Sequence, residues 1–181
     1  MTFNPQIFNP QNINYKMILS ISSDLKEKET TFNFKKIEIK SLNELMEIMN
    51  NYAISNGLFL NGNRHSRNIK AMGNILFIDI DNEPNLNQKP YYLDIEYKLK
   101  RLNISFVSVP SKNADKYTYK RHIAIILNNN LPLIKKEYLR AVYEIINKIG
   151  IDLNKIDIKV QENQISFLAP CTINKNFKNY K

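Results

Sequence analysis

The segment Asn74–Asp81, NILFIDID, constrains the fold more than any other stretch of this chain. An apolar run of this length reads as a buried strand. Residues i and i+2 of a strand share a face, with Cα atoms about 6.5–7 Å apart. Asp79 and Asp81 therefore lie together on one face, and Leu76, Ile78 and Ile80 fall on the other. Two carboxylates on one face repel each other and resist desolvation. Either a divalent cation lies between them, held by the hard oxygen ligands that Mg²⁺ and Mn²⁺ prefer, or both acids sit at an exposed strand end and pair with Lys or Arg.

The strand needs layers to pack against. The 181 residues, 43% of them hydrophobic, suffice for one domain with a real core. Residues 1–14, with two Asn-Pro-Gln turns, read as a flexible arm, and 15–181 as a single domain. Strands are predicted at 15–21 and 32–40, separated by a charged turn at 24–31. Ser41 caps a helix that runs to about Ser55, with Glu44 completing a capping box. Helices also fit 90–102 and 135–149, the second amphipathic through Leu139, Val142, Tyr143, Ile146 and Ile149 and stopped by Gly150. Further strands fit 104–109, 119–127, 156–160 and 165–168, with a loop at 110–116. Mixed helices and strands with several hairpins make an α+β or mixed α/β domain.

Lys and Arg total 26 against 17 Asp and Glu, a formal net charge of +9. This excess suits a polyanionic partner. It also follows from A/T-rich codon usage, since the chain holds 21 Lys, 27 Asn and 26 Ile but only five Arg. A single cysteine, Cys171, excludes an internal disulfide framework and a cysteine-based zinc site. Two histidines, His65 and His122, exclude a three-histidine metal site. No apolar run approaches the roughly 18–20 residues needed to span a bilayer. The polar start of the chain is not a signal peptide. A soluble, cytoplasmic protein with no membrane partner is the expectation.

Three other clusters bear on chemistry. In Ile156–Val160, Asp157 alternates with apolar residues. If this strand lies beside 74–81, three acids from two strands form the ligand set of two-metal phosphoryl or nucleotidyl transfer; otherwise Asp157 belongs to a plain polar face. His122 follows Lys120 and Arg121 on a strand, and Ser111-Lys112 opens the loop before it. A hydroxyl, several cations and an imidazole suit a triphosphate, although a lone strand histidine is also an ordinary core residue. The loop 61–70 carries Arg64 and Arg67 beside His65 and Ser66, either as a solvated surface or as a contact to template or triphosphate.

In this order the pieces resemble the archaeo-eukaryotic primase superfamily, the primase-polymerases. Its first motif, hhhDhD, is matched by Leu76-Phe77-Ile78-Asp79-Ile80-Asp81. Its second, a Ser-containing loop leading to a strand with His, is matched by Pro110-Ser111-Lys112 and Lys120-Arg121-His122-Ile123. Its third, a hydrophobic residue followed by Asp, is matched by Ile156-Asp157. The segment after it departs from the pattern of plasmid and phage members: Ser166, Leu168 and Cys171 stand where basic residues and Gly are common. The resemblance covers about residues 58–175. It implies a palm-like sheet of RNA-recognition-motif type, with helices on one face and an N-terminal α/β extension. It implies a DNA-templated nucleotidyltransferase that makes or extends primers, with Asp79, Asp81 and Asp157 as catalytic residues holding two Mg²⁺ or Mn²⁺ ions. Ser111, Lys112, Arg121 and His122 would bind the nucleotide, and Arg64, Arg67 and Lys120 the nucleic acid. The implied partners are a single-stranded DNA template, ribo- or deoxyribonucleoside triphosphates, and a replicative helicase or C-terminal module in plasmid or phage replication.

Two rivals share the Asp-x-Asp strand. A haloacid-dehalogenase-type phosphatase continues with Gly-Thr or Gly-Val, where this chain has Asn82-Glu83. A diguanylate-cyclase-like palm needs a Gly-Gly-Asp/Glu-Glu-Phe hairpin, which is missing. A non-catalytic single-stranded nucleic-acid-binding module with structural acids is the remaining alternative.

Overall fold

A computed structural model describes residues 16–23, 33–80, 89–111, 114 and 120–171. The arm expected at 1–14 and the charged turn expected at 24–31 lie outside them. In chain order the described elements are β1 (Met17–Ser22), β2 (Lys35–Ile39), α1 (Leu42–Asn51), β3 (Ala53–Ser55), β4 (Gly57–Phe59), β5 (Ile69–Met72), β6 (Ile75–Ile80), α2 (Tyr91–Arg101), β7 (Phe106–Pro110), β8 (Arg121–Ile126), α3 (Lys135–Ile149), α4 (Ile158–Glu162) and β9 (Phe167–Leu168). The fold is α+β. No helix among the described residues is long and apolar enough to cross a membrane.

The central sheet has the order β6-β8-β7, with each neighbouring pair antiparallel. β6 and β7 therefore run in the same direction on either side of β8, and α2 connects them, a split β-α-β arrangement. Strand alternation sends Leu76, Ile78 and Ile80 of β6 into a core closed by Ile95 and Leu99 of α2 and by the apolar stripe of α3. The opposite face presents Ile75, Phe77, Val107, Val109, Ala124 and Ile126 to a second core. An N-terminal unit closes that core, through Met17 and Leu19 of β1 and Leu45, Ile48 and Met49 of α1. This unit holds an antiparallel sheet of order β2-β1-β3-β9, and a β4–β5 hairpin follows it in the chain.

Local chemistry sets the helix ends. The Ser41 hydroxyl accepts the Glu44 N–H at 3.1 Å. Glu44 reaches back to the Lys40 N–H at 2.8 Å, one residue ahead of the cap. α2 ends at Asn103 (φ 56°) and α3 at Gly150 (φ 75°), both left-handed. In each case the next N–H, of Ile104 or Ile151, bonds the carbonyl five residues back and turns an apolar side chain into the core.

Three expectations are corrected. The first helix stops at Asn51, short of Ser55, because Ala53–Ser55 serves as a strand between β1 and β9 and buries Ile54. The segment 156–160 is not a strand. Asp157 caps the short α4, its carboxylate accepting the Lys159 N–H at 3.1 Å. The outer edge of β6, where a fourth strand would pair, is satisfied instead by two single donors. The Asp157 N–H bonds the Asp79 carbonyl at 3.0 Å, and Gln161 Nε2 bonds the Phe77 carbonyl at 3.1 Å. Covering an edge in this way prevents pairing with another chain. The strand expected at 165–168 is reduced to β9.

The two layers meet at Gly73-Asn74. The Asn74 carboxamide accepts the Ile18 N–H at 2.8 Å. It donates to the Lys16 and Leu127 carbonyls at 3.1 and 3.2 Å. Gly73 passes so close to β1 that a Cβ would lie 1.9 Å from the Ile18 carbonyl oxygen. Gly73→Ala is expected to cost about 3 kcal/mol of unfolding free energy in urea melts, the upper range for overpacking. Gly150→Ala meets only the end of the Lys98 side chain and should cost about 1 kcal/mol, from its left-handed backbone alone. Equal losses would mean that the β1 approach is not tight.

Candidate functional site

The C-terminal end of β6 meets the N-terminal start of β8, and the register sets Asp79 directly opposite His122. Directly opposite side chains on one face of a sheet are the closest cross-strand neighbours. His122 Nε2 lies 3.5 Å from Asp79 Oδ1. On β7, Val109 is the register partner of His122 from the other side. Ser111 follows Pro110, the last residue of β7, and is buried, with its N–H on the Lys120 carbonyl at 3.0 Å. Asp79, His122 and Ser111 thus gather at one end of the sheet, on the face turned to the N-terminal unit. Asp157 joins them from α4 through its backbone bond to Asp79.

A residue not singled out in the sequence completes the group. Cys171 Sγ lies 3.0 Å from His122 Nδ1. The chain reaches this point by pairing β9 with β3 and then bonding the Cys171 N–H to the Met49 carbonyl at the end of α1. Thiol, imidazole and carboxylate in a row is also the layout of a thiol nucleophile. Cys171 does not suit that role: it is 1% exposed. Burial, reinforced by the nearby Asp79 charge, pushes its thiol up to about 12. A reactive cysteine needs the thiolate in an electropositive, accessible setting. Cys171 is a neutral S–H.

Alternation separates two residues expected to act together. Arg121 precedes His122 and so points to the opposite face. Its guanidinium lies 4.4 Å over the Tyr92 ring and 4.0 Å from Glu96, both on α2. Arg121 therefore does not share a face with His122. Arg64 is likewise engaged. It donates to the Ile165 carbonyl at 2.7 Å and stacks 4.4 Å over Phe167. Burial lowers its pKa from the usual arginine value. Arg67 is exposed, on a one-turn 3-10 segment capped by His65. Asp81 and Lys112 lie outside the described residues.

Among the described residues no three Asp, Glu, His or Cys side chains stand close enough to hold a metal ion. The two described acids nonetheless fit Mg²⁺ or Mn²⁺ in kind. Both offer hard carboxylate oxygens, Asp157 exposed and Asp79 with 22% of its side chain accessible, on backbones joined by one hydrogen bond. Asp79, Asp157 and Asp81 are the residues that would hold the ions. No protein-family model, curated protein or solved structure matches this chain.

The buried thiol predicts a pH dependence. A group whose pKa rises on folding supports the fold below its unfolded value and loses that support as pH climbs through its folded value. Wild-type stability relative to Cys171→Ala should therefore fall between about pH 9 and 12. Urea unfolding of both proteins across that range measures it. Parallel curves would show that the thiol is not buried as described.

Proposed function

We propose that this chain is the catalytic core of a DNA-templated nucleotidyltransferase of the primase-polymerase kind. One observation carries the reading. Asp79 and Asp157, far apart in sequence, are joined by the hydrogen bond from the Asp157 N–H to the Asp79 carbonyl, and His122 lies directly across from Asp79. This is the order and grouping that the motif resemblance requires. The sheet supports it further. The connectivity β6-α2-β7-β8-α3 with strand order β6-β8-β7 supports the reading of an RNA-recognition-motif-type palm, with the Asp157 segment beside β6 where a fourth strand would stand.

In this reading Asp79 and Asp157, with Asp81, hold Mg²⁺ or Mn²⁺. The ions would supply charge neutralisation at the triphosphate and polarise the attacking hydroxyl. The chain's own residues then have separate tasks. Ser111 and His122 offer hydrogen-bond donors to phosphate oxygens on the same face as the acids. The apolar packing of Ile75 and Phe77 beneath them fixes that face. Arg67 and Lys120 are the cations offered to the template strand and Lys112 the one offered to the nucleotide, while Arg64 and Arg121 make packing contacts.

The test is incubation with single-stranded DNA, labelled nucleoside triphosphates and Mn²⁺. Labelled oligomers are expected, and Asp79→Ala and Asp157→Ala should each abolish them with the fold retained. Arg121→Ala, on the far face, should keep the rate within a few-fold. Mn²⁺ should raise the melting temperature of wild type but not of Asp79→Ala, because a ligand that binds only the folded state stabilises it. DNA binding without synthesis would leave a nucleic-acid-binding module, and phosphate release from a monoester would leave a phosphatase; either overturns the proposal.

Binding to single strands should weaken with salt. Three phosphate contacts, each contributing about −0.7, give a log–log slope of about −2. Fluorescence anisotropy at several salt concentrations checks this. A flat dependence would assign the +9 charge to codon bias alone.

A further inference from the structure

Among the buried polar atoms that find no hydrogen-bond partner within the described residues, two belong to residues lining one cavity: Gln161 Oε1 and Asn56 Oδ1. The cavity lies between β6, α3 and the segment 160–166, and Asn56 enters it from the junction of β3 and β4. We propose that it is a binding site for one structural water, which donates to Gln161 Oε1 and bridges it to the Asn56 carboxamide. The site stands on its own geometry; only its consequence for Asp157 rests on the nucleotidyltransferase reading.

Chemistry fixes what the ligand must be. Gln161 is 1% exposed. Its Nε2 donates to the Phe77 carbonyl at 3.1 Å. That bond sets the orientation of the amide and leaves Oε1 as a buried acceptor in need of a donor. Three donors in the cavity wall are committed elsewhere. The Tyr138 hydroxyl donates to the Gln161 carbonyl and the Ser166 hydroxyl to the Val160 carbonyl, each at 2.7 Å. Gln164 Nε2 donates to the Leu133 carbonyl at 2.7 Å. The cavity has ≈ 10 Å³ of space open to a water-sized sphere, room for a single water. A water brings two hydrogens, one for each orphaned oxygen. It also accepts, so it serves the Asn56 amide turned either way. Among the described residues no Asp or Glu lines the cavity, so a cation would be buried there without a countercharge.

The bridge joins two parts of the molecule. The Asn56 carbonyl accepts the Gly73 N–H at 2.7 Å, so Asn56 is tied to the point where the two layers meet. Gln161 closes the outer edge of β6 from α4, the helix that Asp157 caps. A water between the two amides fastens α4 to the end of β3. In the nucleotidyltransferase reading, the consequence is that Asp157 is held beside Asp79 before a metal ion arrives.

Water–protein ROESY on ¹⁵N-labelled wild type reads the site directly. The Gln161 side-chain amide protons should show a cross-peak to water of the sign given by a long-lived bound molecule, unchanged when Na⁺ is replaced by K⁺. Absence of that cross-peak, or a direct contact between the Asn56 and Gln161 amides in its place, overturns the proposal without any variant. A shift of the Gln161 signals on the cation exchange would assign the cavity to a metal ion and overturns it too. Relaxation dispersion of ¹⁷O counts long-lived waters. Asn56→Leu, close in size but unable to hydrogen-bond, should lose one relative to wild type, and Gln161→Met should lose the same one. If either variant folds and keeps the wild-type count, the proposal falls. In primer synthesis Asn56→Leu should raise the Mn²⁺ concentration for half-maximal rate several-fold, because α4 loses one of its fastenings. An unchanged Mn²⁺ dependence overturns the link to Asp157. If wild type makes no oligomers, the nucleotidyltransferase reading falls, and the water measurements still decide the site.

Discussion

The Asn74 carboxamide ties β1 to the end of the β6–β8 ladder. It accepts from Ile18 in β1, donates to Lys16 just before that strand, and donates to Leu127 just after β8. A buried amide with all these bonds made is worth keeping, because leaving any of its donors or acceptors unpaired costs about 1–3 kcal/mol. Gly73, next to it, removes the side chain that would hold β1 away from the sheet. With β1 docked, the second core can close over Ile75 and Phe77. With Ile75 and Phe77 covered on one side and Leu76, Ile78 and Ile80 on the other, β6 has a fixed position at its far end, where Asp79 stands.

The site inherits that rigidity. Asp79 lies at the end of a strand packed on both faces, opposite a histidine buried to 6% exposure. The outer edge of β6 is closed by Gln161 and by the Asp157 N–H, so the second acid is positioned by the same two carbonyls that would otherwise recruit a foreign strand. Edge protection and acid placement are one device here. A further tie runs through α3: the Tyr138 hydroxyl donates to the Gln161 carbonyl at 2.7 Å, fixing α4 against the helix layer.

Much of this was legible from residue patterns. The α3 stripe and its Gly150 stop appear in the structure over Lys135–Ile149 because an amphipathic period of this length has one solution against a flat apolar sheet. β6, β8 and the Ser41 cap are equally local. The shortened α1 was not legible, since Ala53-Ile54-Ser55 becomes a strand through pairing with β1 and β9, both distant in sequence. The Asp157 segment alternates like a strand, yet it forms a cap and a short turn of helix, because β6 needed only two donors and Gln161 supplied one of them. Arg121 shows what period two alone could have told: consecutive residues of a strand do not share a face, so Arg121 faces α2 while His122 faces Asp79.

The sequence by itself determined which residues are apolar on which face, where α2 and α3 start and stop, and that Asp79 lies toward the end of its strand. These depend on neighbours within a few positions, where backbone geometry leaves few choices. Only the tertiary structure decided that His122 stands opposite Asp79, that Asp157 lies beside it, that Arg64 and Arg121 are consumed in packing, and that Cys171 closes on the imidazole. Each of those rests on strand register and on edge hydrogen bonds between segments tens of residues apart, and no local pattern carries register.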